Sequence, residues 1–327
     1  MPDAIPVIDV AGHLTGRSGA LQATAREICD ALTTVGFLVL TGHAVPQRLI
    51  AQTFGEAKRL HDLPMARKIA LRLNEHNNGY MAMGRYAVWT SEVNSNDKPD
   101  LNEAYFIKRE RLSSDPLRQS GRRFVGPNVW PDEALLPGFR GHILEYAETM
   151  DAFACSMLPV LAVALDLPPD WFKEAFRQSQ FTLRLSHYPP IPAQANQFGI
   201  APHTDSSFMT FLPQADIPGL QVRMPSGEWL DVPYVPGSFA VNSGDIMTRW
   251  TNGRFKSTPH RALPPVGQHR YAIPFFLGPQ FDWLIACLPT CTGPDNPPRF
   301  APITYSAWQE YWYDANYDPN AQGDLVA

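Results

Sequence analysis

Cysteine is scarce in this sequence, with four in 327 residues, at Cys29, Cys155, Cys287 and Cys291. There is no Cys-x-x-Cys pair, and the two neighbours Cys287 and Cys291 have no further zinc ligands close by. This excludes a disulfide framework, argues against a zinc module, and predicts a reduced protein with unpaired thiols. Charge of one sign is also lacking: 27 Lys and Arg against 32 Asp and Glu leave a net charge of −5, with no basic footprint for nucleic acid. No uncharged apolar run reaches the ~20 residues that a membrane span requires. Residues 1–6 carry neither the basic nor the apolar segment of a secretory leader. The expectation is a cytoplasmic protein whose partners are small molecules rather than nucleic acid or membrane, with its oligomeric state left open.

Proline is abundant. Its 32 occurrences are about one residue in ten, roughly twice ordinary usage. Because proline interrupts helices and interior strands, this favours many short elements with tight corners over a helical bundle. The chain is long enough to bury a large core without a structural metal. A short edge strand is expected over 5–10, a helix over 19–32 closed by Gly36, a buried strand over 37–40, and a helix over 46–61. The polar stretch 74–103, carrying Tyr80, Tyr86 and Trp89, reads as a long loop and a candidate lid. A long helical pattern spans 134–165 with Pro159 set to break it, and a shorter helix is expected over 169–177. After Phe181 the text changes to short β-like runs at 182–188, 208–212, 220–222, 239–242, 258–262 and 271–276, the pattern of a sandwich or barrel. Residues 289–302 look like loop, and 303–317 like an aromatic-rich helix packed on the core.

The candidate site is His203-Thr204-Asp205 with His260. In extended backbone, residues two apart project from one face, so His203 and Asp205 can reach one metal while His260 arrives from another strand. Two histidines and one aspartate can occupy one face of a metal and leave the opposite positions open, the ligand set of a non-haem Fe(II) oxygenase. Arg270 follows ten residues after His260, and its planar fork suits a carboxylate held in bidentate fashion. Alternation puts Thr182, Arg184, Ser186 and Tyr188 on one strand face. His187 is out of phase with that face and is expected, like His269 and His43, to be structural, and Asp245 after Gly244 is expected in a turn.

These motifs, with Gly219-Leu220-Gln221-Val222, Asn242-Ser243-Gly244-Asp245, Thr251-Asn252-Gly253 and the opening Ile5-Pro6-Val7-Ile8-Asp9, resemble the isopenicillin N synthase-like 2-oxoglutarate/Fe(II) dioxygenases. The resemblance covers most of the chain. It implies an α+β, mainly β fold, with a double-stranded β-helix (jelly roll) core and flanking helices. An N-terminal lobe would occupy 1–120 and the catalytic core 121–327, with 178–280 as the Fe/2-oxoglutarate region, in one compact unit. It further implies that His203, Asp205 and His260 bind Fe(II), that Arg270 holds the far carboxylate of 2-oxoglutarate, and that Tyr188 assists. Ser186 and Arg184 share the Tyr188 face, the first as a cosubstrate contact and the second as a substrate contact. The implied reaction consumes O2 and 2-oxoglutarate, yields succinate and CO2, and oxidises a C–H bond of a small molecule, with hydroxylation as the default. In one place the chain departs from the family: the usual Arg-x-Ser is Arg270-Tyr271-Ala272 here, which removes a hydroxyl from the cosubstrate carboxylate. Two alternatives stand beside this reading, an oxidase of the isopenicillin N synthase type that needs no 2-oxoglutarate and a metal-dependent small-molecule-binding protein.

Overall fold

The computed structural model describes residues 4–84 and 91–316. Tyr86, Trp89 and Tyr317 lie outside the described residues. The chain begins with β1 (Val7–Asp9), α1 (Ala11–Leu14), α2 (Ala20–Thr34), β2 (Phe37–Thr41) and α3 (Gln47–His61). Next come α4 (Met65–Ile69), β3 (Gly79–Met81), β4 (Glu103–Lys108), α5 (Pro116–Gln119), α6 (Phe139–Ser156) and α7 (Leu158–Ala164). The strand-rich half holds β5 (Gln180–Tyr188), β6 (Ile200–His203), β7 (Met209–Pro213), β8 (Leu220–Arg223), β9 (Trp229–Asp231) and β10 (Phe239–Ser243). It continues with α8 (Asp245–Trp250), β11 (His260–Ala262), β12 (Arg270–Ala272) and β13 (Phe275–Gly278), and α9 (Tyr305–Asn316) follows near the end.

Among the described residues the larger sheet has the order β1-β2-β10-β7-β13-β5-β4-β3, with β12 also paired to β5, and the smaller sheet the order β6-β11-β8-β9. The edge position of β1 agrees with the proline beside it. Side-chain alternation assigns the two faces of the larger sheet. Leu38, Leu40, Leu183, Leu185, Phe211, Phe239 and Val241 join the helices in the main core, while Phe37, Ser186, Tyr188, Thr210, Ala240 and Asn242 line a cavity. The cavity's remaining walls include Ile200, His203, Leu220, His260 and Ala262 of the smaller sheet. Two small apolar clusters join the sheets beside it: Phe37 and Val39 with Val222 and Met224, and Tyr188 and Ala272 with Ile200 and Ala262. This is the jelly-roll arrangement, with strands from the first fifty residues in the same sheet as β10.

Gly36 ends α2 as expected. It takes φ +76°, and its N–H closes onto the Ala31 carbonyl at 2.9 Å. A Cβ there would also stand 2.5 Å from the Lys256 carbonyl oxygen, so the position needs glycine twice over. The long helix does break, at Met157, with Pro159 in the first turn of α7. The stretch Phe139–Ala164 has the length and hydropathy of a membrane span, but 56% of its most apolar 18-residue window is buried inside this protein. Its burial against the sheet accounts for the apolar character.

Several local expectations are corrected. Residues 169–177 form overlapping turns, with N–H groups of Trp171, Lys173 and Arg177 bonding three residues back. Pro168 and Pro169 supply no N–H there, and Phe172 and Phe176 are held by Phe208 and Trp250. The run 271–276 is split between β12 and β13 at Pro274, which cannot donate to the ladder. The stretch 74–103 is not one loop, because β3 lies within it and β4 starts at its end. Asp245 does not sit in a simple turn but begins α8.

Candidate metal and cosubstrate site

Antiparallel pairing of β11 with β6 sets His260 opposite His203, with ring centroids 4.3 Å apart. β6 ends at His203, so Asp205 reaches the same point from just beyond the strand rather than by strand alternation. That placement depends on a close approach at Gly244, where a Cβ would be 2.2 Å from the Ser207 carbonyl and 2.7 Å from the Asp205 carbonyl. Asp205 Oδ1 lies 3.6 Å from His260 Nε2 and 3.8 Å from His203 Nε2.

The surroundings orient all three donors. His203 Nδ1 donates to the Ala201 carbonyl at 2.8 Å and His260 Nδ1 to the Thr258 carbonyl at 3.1 Å. These bonds engage Nδ1 of each ring and turn both Nε2 atoms toward the other ligands, so that a neutral ring presents its Nε2 lone pair there. Asp205 Oδ2 accepts from Thr210 Oγ1 at 2.6 Å and Asn242 Nδ2 at 2.8 Å, which leaves Oδ1 turned to the histidines. Burial would raise the Asp205 pKa, but His260, His203 and these two hydrogen bonds outweigh it and keep the group a carboxylate. Burial and the neighbouring His260 lower the His203 pKa, keeping the imidazole neutral. A neutral His203 imidazole beside an ionised Asp205 carboxylate suits a divalent cation.

A second cluster also brings metal-ligand types together: His61, Glu103 and His187. It sits on the other face of the larger sheet, in phase with Leu183 and Leu185, and both carboxylate oxygens of Glu103 are already occupied, while His61 Nδ1 lies 3.4 Å from Glu103 Oε1. Lys68 Nζ donates to Glu103 Oε2 at 2.7 Å and Oε1 at 3.1 Å, Tyr80 donates to Oε2, and His187 Nδ1 donates to Oε1 at 2.7 Å. His187 Nε2 meets His269 Nδ1 at 2.8 Å, and His61 Nε2 meets the Leu185 carbonyl at 3.0 Å. A lysine inside the donor set repels a cation, so this cluster is a charge network within the core, in keeping with the structural roles expected for His187 and His269. His43 is a packing residue, bonded to the Gly237 carbonyl at 2.7 Å and set edge-on against Phe239.

The other expected residues line the same cavity as the triad. Arg270 pairs with Tyr188 across β12 and β5, its guanidinium 4.9 Å from the Tyr188 ring centroid. Arg270 Nε donates to the Ile217 carbonyl at 3.3 Å, whereas Nη1 is buried without a partner among the described residues. One pair further along, Ala272 faces Ser186, whose Oγ is buried and equally unpartnered. A buried arginine donor and a buried hydroxyl, both unspent, form a cradle for an anion with several acceptor oxygens. Arg184 donates to Asn102 Oδ1 at 2.5 Å and lies over Phe106, so β4 and the residue before it hold its head group.

Thr210 and Asn242, which orient Asp205, were not singled out by the sequence. Asn242 is embedded in the Asn-Ser-Gly-Asp motif, but nothing local to that motif reveals a carboxylate partner thirty-seven positions earlier.

A model of the 2OG-Fe(II) oxygenase superfamily matches residues 179–279, and one for the N-terminal region of non-haem dioxygenases in morphine synthesis matches residues 5–133. The 2-oxoglutarate-Fe(II) type oxidoreductase hxnY of Emericella nidulans is 35% identical, covering 97% of this chain and 91% of that protein. The 2-oxoglutarate-dependent dioxygenase citB of Monascus ruber is 33% identical, covering 85% of this chain and 86% of its own. The crystal structure of a full-length Neurospora crassa protein in complex with alpha-KG and thymine superposes with a TM-score of 0.82 at 26% identity, covering 95% of this chain and 96% of that one. The chain belongs to the 2OG-Fe(II) oxygenase superfamily and is a 2-oxoglutarate/Fe(II)-dependent dioxygenase. The readings as a 2-oxoglutarate-independent oxidase and as a non-enzymatic binding protein are thereby set aside.

Proposed function

We propose that His203, Asp205 and His260 hold the Fe(II), that Arg270, Tyr188 and Ser186 hold 2-oxoglutarate, and that the enzyme hydroxylates a C–H bond of a small molecule. The observation that carries this reading is the convergence of two Nε2 lone pairs and Asp205 Oδ1 on one point, in a cavity that also holds the unpartnered Arg270 donor. The overall conversion is R–H + O2 + 2-oxoglutarate → R–OH + succinate + CO2, and Fe(II) supplies the oxygen activation that it needs. The protein's own groups bind and orient. Arg270 takes the far carboxylate of the cosubstrate, and the Tyr188 ring, 4.9 Å from the guanidinium carbon, helps hold it in place. Thr210 and Asn242 hold Asp205 in one orientation throughout. Apolar walls at Phe37, Ile200, Leu212 and Leu220 limit water beside the reacting groups. The test is turnover against a panel of small molecules under O2, measuring succinate and hydroxylated product together; their formation in equal amounts supports hydroxylation, and substrate loss without succinate contradicts it.

Ser186 has a specific part in this reading. It stands across the ladder from Ala272, the position where the family pattern has a serine, so its hydroxyl can serve the same carboxylate from the neighbouring strand. A hydrogen bond to a charged group contributes about 1.5–3 kcal/mol, so Ser186→Ala should raise the Kd for 2-oxoglutarate about ten- to a hundredfold. Adding Ala272→Ser to that variant should restore most of the loss, measured by equilibrium titration. A Ser186→Ala protein with unchanged affinity would remove Ser186 from the cosubstrate site.

A further inference from the structure

A second cavity opens on the outer side of His203 and Thr204, between residues 91–93, the start of α8 and the aromatic face of α9. We propose that it takes the oxidised substrate and that this substrate is a small aromatic carboxylate, gripped by Arg249; the proposal rests on the iron and cosubstrate assignment above.

Arg249 is the central observation. Its guanidinium carbon lies 5.0 Å from the Phe300 ring centroid and 5.2 Å from that of Trp308, so two aromatic rings hold it in place. Nη2 donates to the Ala301 carbonyl at 2.9 Å, while Nε is buried with no hydrogen-bond partner among the described residues. No carboxylate forms an ion pair with Arg249 among the described residues, and burial lowers its pKa, with nearby Asp245 and Tyr311 pulling the other way. An arginine fixed by stacking and left with spare donors is preorganised for a planar anion. Arg223, at the end of β8, adds a second cation to the same wall and likewise has no ion pair among the described residues.

Among the described residues, neither acidic residue of the cavity forms an ion pair with Arg249. Glu92 is exposed to water, and Asp245 is engaged by Thr204 Oγ1 at 3.3 Å and stands at the first turn of α8. The rest of the lining favours a ring. Trp308 and Tyr311, with centroids 5.7 Å apart, and Phe300 offer faces to a flat apolar body. Trp308 itself is anchored by its indole N–H to the Ser206 carbonyl at 2.9 Å, one residue past Asp205, so the aromatic wall is tied to the metal-ligand loop. An aromatic acid held at Arg249 would thus have its ring between the acid anchor and His203, where a C–H bond is to be oxidised.

The test uses full-length protein loaded with Fe(II) and saturating 2-oxoglutarate under nitrogen, with benzoate, phenylacetate and the neutral benzamide as probes in calorimetric titrations. The wild type should bind an acid probe about tenfold or more tightly than the amide, as expected of a charge-assisted hydrogen bond. Arg249→Gln should abolish the preference and Arg249→Lys should keep part of it. Acid and amide bound equally, neither bound, or a preference that survives Arg249→Gln overturns the proposal. So does acid binding that weakens as 2-oxoglutarate is raised, because the probe then occupies the inner cavity. Failure of the iron assignment would be seen separately, as a missing Fe(II)–2-oxoglutarate charge-transfer band before any probe is added.

Discussion

Arg270→Ala is expected to raise the Kd for 2-oxoglutarate by about 10²- to 10⁴-fold, since two charged hydrogen bonds at about 1.5–3 kcal/mol each would be lost. The effect is large because the guanidinium is buried, stacked on Tyr188, and has an Nη1 with no protein partner among the described residues. The same features give the change an opposite sign in the absence of cosubstrate. A buried cation without a carboxylate destabilises the fold, so the Arg270→Ala protein without 2-oxoglutarate should melt no lower than the wild type. Titration of 2-oxoglutarate into the Fe(II)-loaded protein under nitrogen gives the affinity, and thermal unfolding gives the stability. A Kd within threefold of wild type would mean that Arg270 serves another ligand.

The second large effect concerns stability rather than chemistry. Glu103→Gln should cost about 3–5 kcal/mol, the usual penalty for breaking a buried ion pair and leaving one charge behind. Here the stranded charge is Lys68, whose side chain is 8% exposed and whose ammonium bonds both oxygens of Glu103. The pH dependence carries a defined sign. Burial would raise the Glu103 pKa, but His187, His61 and Lys68 overcome it and hold it well below the usual carboxylate range. A carboxylate whose folded pKa is depressed contributes stability above its unfolded value, about 4.3, and loses it as pH falls toward the folded value. The gap between wild type and Glu103→Gln should therefore be full at neutral pH and narrow on acidification below about pH 4. Denaturant unfolding at several pH values measures it; a neutral-pH loss under 1 kcal/mol would contradict the account.

The candidate site was readable in the sequence to an unusual depth, and the reasons are local. Thr182, Arg184, Ser186 and Tyr188 do share one face of β5, because strand alternation is strict and the strand is long. His203 and Asp205 converge as expected but by another route, since the strand stops at His203 and the following turn carries Asp205 inward. β4 stayed hidden behind Glu103 and Lys108. Two charges in a six-residue run look like a surface segment, yet both are buried with partners supplied by distant residues. The helix expected over 169–177 failed for the converse reason, because its favourable local spacing was overridden by the aromatic packing of Phe172 and Phe176. The outer cavity was invisible because Arg223, Arg249 and the α9 aromatics come from three separate parts of the chain, and no local pattern joins them.

The central claim is that iron sits at His203, Asp205 and His260 rather than at His61, Glu103 and His187. Anaerobic Fe(II) titration in the presence of 2-oxoglutarate, followed by the metal-to-ligand charge-transfer band, separates the two clusters directly. The band should form in the wild type, in His61→Gln and in His187→Gln, and should be absent in His260→Ala. A band that persists in His260→Ala and disappears in His187→Gln would contradict the account and move the metal to the other face of the sheet.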